Sequence, residues 1–291
     1  MTPNSDVLTV HGPALPSVPI VLDSPHSGHR FPADFGAAVS EFDLRDGEDC
    51  FIDELYAPAA ELGIVLLAAQ FPRTYLDPNR HVGDIDIQML ESDNWPHEWV
   101  PSGKAAIGKA LLWRTLDDGR AIYARKLTVV EVQRRIDHFH VPYHRTLQQL
   151  LDASHARFGA VYHFNCHSMN AVSGAMGEGG AGRARADFVL GDRDGTSCDP
   201  DLTEFVRATL AARGYDVRVN DPFKGVELVR AFSNPQQQRH SLQLEINKRL
   251  YMDESSRARH AGFAPLQADL MRLLAAVLDW ARLRQPGPAL P

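Results

Sequence analysis

Gly159-Ala-Val-Tyr-His-Phe-Asn-Cys-His-Ser-Met169 opens as a short run of β-favouring apolar residues. It ends in a polar cluster of Asn165, Cys166, His167 and Ser168. A buried strand that delivers a histidine at its carboxyl end is where an open α/β sheet gathers metal or catalytic chemistry. The glycine-rich stretch that follows, Asn170 to Arg185, reads either as a flexible lid or as a disordered loop.

Outward from this strand the chain alternates between two periods. Val18-Pro-Ile-Val-Leu22 reads as a buried strand ending at Asp23-Ser-Pro-His-Ser-Gly28. Ile64 to Ala69 reads as another, leading into the polar loop Phe71 to Arg80. Asp187 to Leu190, Tyr215 to Val219, Val226 to Phe232 and Ser241 to Ile246 read as later strands. Between them lie helical patterns. Cys50 to Leu62 carries Phe51, Leu55 and Leu62 on one face and stops at Gly63. Thr128-Val-Val-Glu131 is a capping box that opens a long helix, in which Pro142 predicts a kink or a break. Asp199-Pro200 starts a helix that Gly214 ends, and Pro265 to Leu283 forms a last amphipathic one. Strands alternating with helices predict a three-layer α/β fold, with a central mixed, mostly parallel sheet and helices on both faces. The expected organisation is one catalytic-sized domain over residues 1–291, with loose termini at 1–16 and 284–291.

Composition narrows the field. The 291 residues are 44% hydrophobic and 23% charged, with a net charge of −7 that is not gathered into blocks. Nothing in that balance points to nucleic acid or an anionic membrane. No apolar run reaches the length of a membrane span. The segment Met1 to Pro13 lacks the basic start and apolar core of a signal peptide, so the expected location is the cytoplasm. The oligomeric state is left open. Cys50, Cys166 and Cys198 fit no paired zinc or redox spacing and read as reduced thiols. Cys166 is either a nucleophile or a small buried residue at a strand end, and burial is the simpler reading.

Histidines at two strand ends, His26 and His167, suggest a shared metal. The alternative for His26 is a loop histidine bonded to its neighbours. Glu48 and Asp49 open a helical segment and could supply a third, acidic ligand, or could merely cap that segment. Arg73, Asp77, Asn79 and Arg80 form a second constellation. An arginine fork grips a carboxylate through paired hydrogen bonds, an asparagine adds a neutral donor, and Asp77 can orient either arginine. A surface ion pair is the plainer alternative. Glu245 stands among apolar neighbours in Leu242-Gln-Leu-Glu-Ile246, sharing a face with Gln243. A carboxylate on a covered sheet is suited to act as a general base on water; on an exposed edge strand it would be unremarkable.

These residues, taken in order, carry a resemblance. Ser24-Pro-His-Ser-Gly28, Asp49 with Leu55-Tyr56, Arg73 through Asp77-Pro-Asn-Arg80, Pro142-Tyr-His144, Cys166-His-Ser168, Phe223-Lys-Gly225 and Leu244-Glu245 through Tyr251-Met-Asp-Glu254 follow one another. The set resembles the N-formylglutamate amidohydrolase family, from about residue 18 to 255. That family is similar to the zinc-dependent exopeptidases, including zinc carboxypeptidases and aspartoacylase. The resemblance implies a phosphorylase/hydrolase-like α/β fold with one zinc ion per chain at the sheet edge. It implies His26, Asp49 and His167 as zinc ligands, with Glu48 as the fallback. Asn79 and Arg80, with Asp77, would hold the substrate carboxylate. Arg73 would lie near the scissile carbonyl or a second carboxylate, and Glu245 would be the general base.

The implied activity is hydrolysis of the amide bond of an N-acyl amino acid, foremost N-formyl-L-glutamate to formate and L-glutamate in histidine breakdown. Alternatives are another N-acyl amino acid amidohydrolase, a carboxypeptidase-like enzyme or a non-catalytic acidic amino-acid binder. Three positions depart from the family pattern. Pro78 stands in Asp77-Pro-Asn-Arg80 where leucine is usual, Asn165 stands where aspartate is common, and Val226-Glu227 replaces a Gly-His pair. A nucleophile elbow and a phosphate-cradling glycine loop are both absent from the sequence.

Overall fold

The structure, a computed structural model, describes residues 6–174 and 180–284. Its frame is a seven-stranded sheet. In chain order the strands are β1 (Leu8–His11), β2 (Ile20–Ser24), β3 (Val65–Ala69), β4 (Val161–Met169), β5 (Phe188–Gly191), β6 (Val217–Val219) and β7 (Arg239–Asn247). They lie side by side as β1-β3-β2-β4-β7-β5-β6. The pairs β3–β2, β2–β4, β4–β7 and β5–β6 are parallel; β1–β3 and β5–β7 are antiparallel. The sheet is therefore mixed and mostly parallel, as the alternation of patterns predicts.

Every residue of β4 is buried, so its two-residue period sorts chemistry rather than exposure. Tyr162, Phe164 and Cys166 enter one apolar core together with Ile20 and Leu22 of β2 and Leu242, Leu244 and Ile246 of β7. The alternate residues of the same three strands are Asp23, then His163, Asn165 and His167, then Ser241, Gln243 and Glu245. They form a polar patch on the opposite face of the central strands. Helices Ile52–Tyr56, Pro200–Ala211 and Phe263–Arg282 cover the apolar face. The helical run Val129–Arg135, Ile136–His140 and Val141–Phe158 covers the other, together with apolar side chains of residues 71–127. That makes three layers.

Local chemistry explains the element ends. Thr128 Oγ accepts from the Glu131 N–H while the Glu131 carboxylate accepts from the Thr128 N–H, the capping box expected there. Pro142 does not break the helix. Just before it, residues Ile136–His140 adopt one wider π turn, which absorbs the proline, and the helix continues to Phe158. The pattern over Cys50–Leu62 is an α turn only at Ile52–Tyr56. Ala57–Leu62, which contains Pro58, tightens to a 3-10 helix, and Gly63 closes it in the left-handed region.

Two expectations fail. Val226 to Phe232 is not a strand; Glu227–Phe232 is a helix. Leu228 and Val229 are buried and Phe232 packs beside Leu228, a spacing of one and four that belongs to a helix face, not to alternation. Residues 1–16 are not all loose, because β1 pairs along β3 from Leu8 opposite Ala69 to His11 opposite Leu66. The expected loose tail from 285 onward lies outside the described residues. So does the middle of the glycine-rich stretch, residues 175–179. Its two flanks pair with each other, through Arg185 N–H to Ala171 O at 2.9 Å and Ser173 N–H to Arg183 O at 3.0 Å.

The parallel order brings the carboxyl ends of β2, β3, β4 and β7 to one edge, where loops 25–28 and 70–80 meet. Gly28 is the tightest point of that meeting. A Cβ placed there would stand 2.4 Å from Gln70 C and 2.5 Å from Phe71 O. Gly28→Ala is expected to push apart the loops that carry His26 and Arg73 and to destabilise the fold by about 1–3 kcal/mol. Thermal unfolding checks this, and an unchanged midpoint would refute the close-packing account.

Candidate metal centre and active site

The first constellation assembles at the ends of β2 and β4. His26 follows β2 by two residues, and its backbone O accepts from the Asp49 N–H at 3.0 Å, which ties the two loops together. Phe51, in the left-handed region at φ 64°, then turns the chain into the Ile52–Tyr56 helix and away from the site. Three ligand-type atoms converge. His26 Nδ1 is 3.1 Å from His167 Nδ1 and 3.3 Å from Asp49 Oδ2, and His167 Nδ1 is 2.9 Å from Asp49 Oδ2. All three residues are buried.

The outer partners of the rings fix their protons. Asp77 can only accept, so His26 Nε2–H donates to Asp77 Oδ1 at 2.7 Å. His167 Nε2 has two partners, the Asn79 Nδ2 at 3.2 Å and the nearer Asn165 Oδ1 at 2.7 Å, an acceptor to which it donates. Each neutral imidazole then turns an Nδ1 lone pair inward, at a third lone pair on Asp49. Three lone pairs held this close repel unless a cation lies among them. Donor atoms about 2.0–2.1 Å from a four-coordinate ion stand about 3.3 Å apart, so the spacing fits. Among the described residues, His26, Asp49 and His167 are the group able to hold a metal ion.

The electrostatics agree. Burial alone would raise the Asp49 carboxyl, but the adjoining His167 and His26 rings outweigh it and hold it far below the usual range, as the anion a cation would need. Burial, aided by His26, keeps His167 below its ordinary value and so favours the neutral, ligating form. Burial would likewise raise Asp77, but Arg73 and His26 hold it well below the usual range as a permanent anion. Glu48, the fallback ligand, points elsewhere: Arg45 donates to its two oxygens at 2.6 and 3.1 Å. Cys166 faces the apolar core opposite His167, and burial pushes its thiol well up, which removes it as a nucleophile.

A cavity of about 440 Å³ opens over these residues and is lined by His26, Asp49, Arg73, Asn79, Arg80, His167 and Glu245 among others. Glu245 reaches it because β7 pairs with β4 in the register that sets it opposite His167. Gln243, on the same face, donates to Glu245 Oε1 at 2.9 Å. Arg73 bonds Asp77 Oδ2 through Nε at 3.2 Å and Nη2 at 2.8 Å, and its guanidinium lies 5.0 Å above the Trp113 ring. Burial works against its charge, but Asp77, Asp49 and Glu245 more than compensate and raise its pKa. Asn79 is buried, and its Oδ1 accepts from the Leu228 N–H at 2.9 Å. Among the described residues Arg80 Nε has no hydrogen-bond partner, and it lies 3.8 Å from Asp77 Oδ2. Asp77 does not face the cavity. It is fully buried, and it gathers His26, Arg73 and the Asn79 N–H around one carboxylate.

Several residues have no role assigned from the sequence, among them His144, which enters there only within Pro142-Tyr-His144. His140 and His144, one turn apart and stacked at 3.9 Å, donate to Arg80 O at 2.9 Å and Pro78 O at 2.7 Å. Backbone carbonyls only accept, and burial drives His140 down to about 3, so both rings are neutral donors clamping the Asn79-Arg80 segment. Their spacing of four was a readable sign. Trp113 and Lys109, stacked with Nζ 3.6 Å from the ring centroid, come from a stretch that carried no readable pattern. Glu227, at one of the departing positions, pairs with Arg230 outside the cavity lining, which Val226 joins instead.

The acidic ligand can be tested directly. Asp49→Asn is expected to lower bound divalent metal to below about a tenth of the wild-type occupancy, while Glu48→Gln leaves it within about twofold. Metal analysis after dialysis reads both, and the reverse ranking would move the third ligand to Glu48.

Comparison with known proteins agrees with this geometry. A family model described as N-formylglutamate amidohydrolase matches residues 18–252. An N-formylglutamate deformylase of Pseudomonas aeruginosa is 33% identical over 274 residues, which is 92% of this chain and 95% of the relative. One from Pseudomonas putida is 30% identical over 273 residues, with the same shares. The crystal structure of an N-formylglutamate amidohydrolase from Ralstonia eutropha JMP134 superposes with a TM-score of 0.89 at 44% identity, covering 96% of this chain and 99% of that one. No helix among the described residues is long and apolar enough to cross a membrane. With a family match over most of its length and a possible metal centre on the sheet edge, the chain belongs to the N-formylglutamate amidohydrolase family.

Proposed function

We propose that this protein is a zinc-dependent amidohydrolase that cleaves N-formyl-L-glutamate to formate and L-glutamate. The observation that carries the reading is the convergence of His26, Asp49 and His167 in the cavity that also holds Glu245, Arg73 and Arg80. Two imidazole nitrogens and one carboxylate oxygen, with a further position open to the cavity, make the donor set of a catalytic zinc. When bound, such an ion acidifies water and polarises an amide carbonyl.

The chain's own groups supply the rest. Glu245, opposite His167 on the cavity wall, takes the proton of the attacking water and passes it to the leaving amine nitrogen. Arg73, held in place by Asp77 and charged throughout, faces the negative charge that develops on the carbonyl oxygen. Arg80 and Asn79 receive the α-carboxylate, on a backbone segment clamped by His140 and His144. Asp77 is a support for this machinery rather than a contact to substrate. The partner is a small-molecule N-acyl amino acid rather than nucleic acid or a membrane, and the cytoplasm is the compartment in which we place the reaction.

Two measurements test this. Glu245→Gln is expected to lower kcat by about 10²–10⁴-fold while metal content stays at the wild-type level. Full turnover in that variant eliminates Glu245 as the base. Chelation should abolish deformylation of N-formyl-L-glutamate and added zinc should restore it. Faster cleavage of N-acetyl amino acids or of dipeptides in the same panel would reassign the substrate.

A further inference from the structure

Beneath the metal centre lies a second polar cluster that the reaction does not use. Asp23 is fully buried in β2, one strand over from His167. Its Oδ1 is 2.8 Å from His163 Nε2 and 2.8 Å from Asn165 Nδ2, and its Oδ2 accepts from Tyr143 Oη at 2.7 Å. His163 Nδ1 in turn is 2.7 Å from Ser241 Oγ. All of these side chains are buried. Burial would raise the Asp23 carboxyl, but the His163 and Asn165 contacts outweigh it and keep it ionised.

The donor logic runs in one direction. A carboxylate only accepts, so Asn165 must turn its NH2 toward Asp23. That places Asn165 Oδ1 against His167 at 2.7 Å from Nε2, nearer than the competing Asn79 Nδ2 at 3.2 Å, and so favours the proton on Nε2. The remaining lone pair of His167, on Nδ1, points at His26 and Asp49. His26 receives the same instruction directly from a carboxylate, Asp77. His167 receives it through one intervening amide. The charge missing at Asn165 is thus present on the adjacent strand, in register with it.

We propose that Asp23 is the positioning residue of His167, setting its tautomer and ring orientation through the Asn165 amide, with His163 and Tyr143 holding Asp23 in place. This rests on the reading of His26, Asp49 and His167 as metal ligands. In Asp23→Asn, donors from His163, Tyr143 and Asn165 would confront an amide. Asn165 is then free to flip and offer its NH2 to Nε2, which moves the ring proton to Nδ1 and closes the ligand position.

The test is zinc affinity of the full chain, stripped and titrated in competition with a chromophoric chelator. Wild-type protein that takes up no zinc overturns the metal reading itself. Given wild-type binding, Asp23→Asn should weaken it by about 10–100-fold. The exchange Asp23→Asn with Asn165→Asp should recover it to within about fivefold, because the carboxylate then contacts His167 directly and the amide satisfies His163. Thr128→Ala, which loses a helix cap far from the site, should lower stability without moving zinc affinity. If Asp23→Asn does not fold, Asn165→Leu removes the relay and should show the same loss. Wild-type affinity in Asp23→Asn or Asn165→Leu, or no recovery in the exchange, overturns the proposal.

Discussion

Two imidazole lone pairs and a carboxylate oxygen held within 3.3 Å of one another are the constraint on which the rest of this molecule depends. Such a cluster is unfavourable by itself, because each atom presents negative potential to the other two. It persists because every outward-facing atom is committed. Asp77 holds the far side of His26, Asn165 the far side of His167, and the backbone of Asp49 is bonded to that of His26. A cation among them would resolve the repulsion, and the surrounding structure holds the three atoms in the geometry a cation needs.

Holding those groups requires a rigid platform with unlike faces. In the central strands the two-residue period sends Tyr162, Phe164 and Cys166 to a helix-covered apolar core and sends His163, Asn165 and His167 the other way. Polar groups that are also buried must be fully bonded, or each would cost about 1–3 kcal/mol. The Asp23, His163, Ser241 and Tyr143 set meets that demand inside the sheet, and its lowered carboxyl keeps a negative charge beneath the site. Arg73 and Asp77 continue the pattern at the rim, where one carboxylate serves an arginine and a histidine together.

Much of this was legible in the chain. The strands at β2, β3, β4 and β7, the capping box at Thr128 and the histidines at strand ends are local signals, and they lie where the patterns place them. Glu227–Phe232 was misread because a six-residue apolar segment carries too few turns for its period to stand out. β1 was missed because Leu8–His11 is short and becomes a strand only by pairing with β3. Asp23 looked like the polar end of a strand; that it is an interior anion follows from neighbours 120 and more residues away.

The sequence by itself determined the alternation of strand and helix, the delivery of His26 and His167 to strand ends and the family to which the chain belongs. Those depend on residue type and spacing over short stretches, where propensity and period act directly. The tertiary structure set Asp49 beside the two histidines and Glu48 against Arg45, turned Asp77 inward, sent Glu227 to Arg230 and joined Asp23 to His167 through Asn165. Each of these is a choice between side chains that are chemically alike. Only the strand order and register, which bring distant segments within hydrogen-bonding distance, can make that choice.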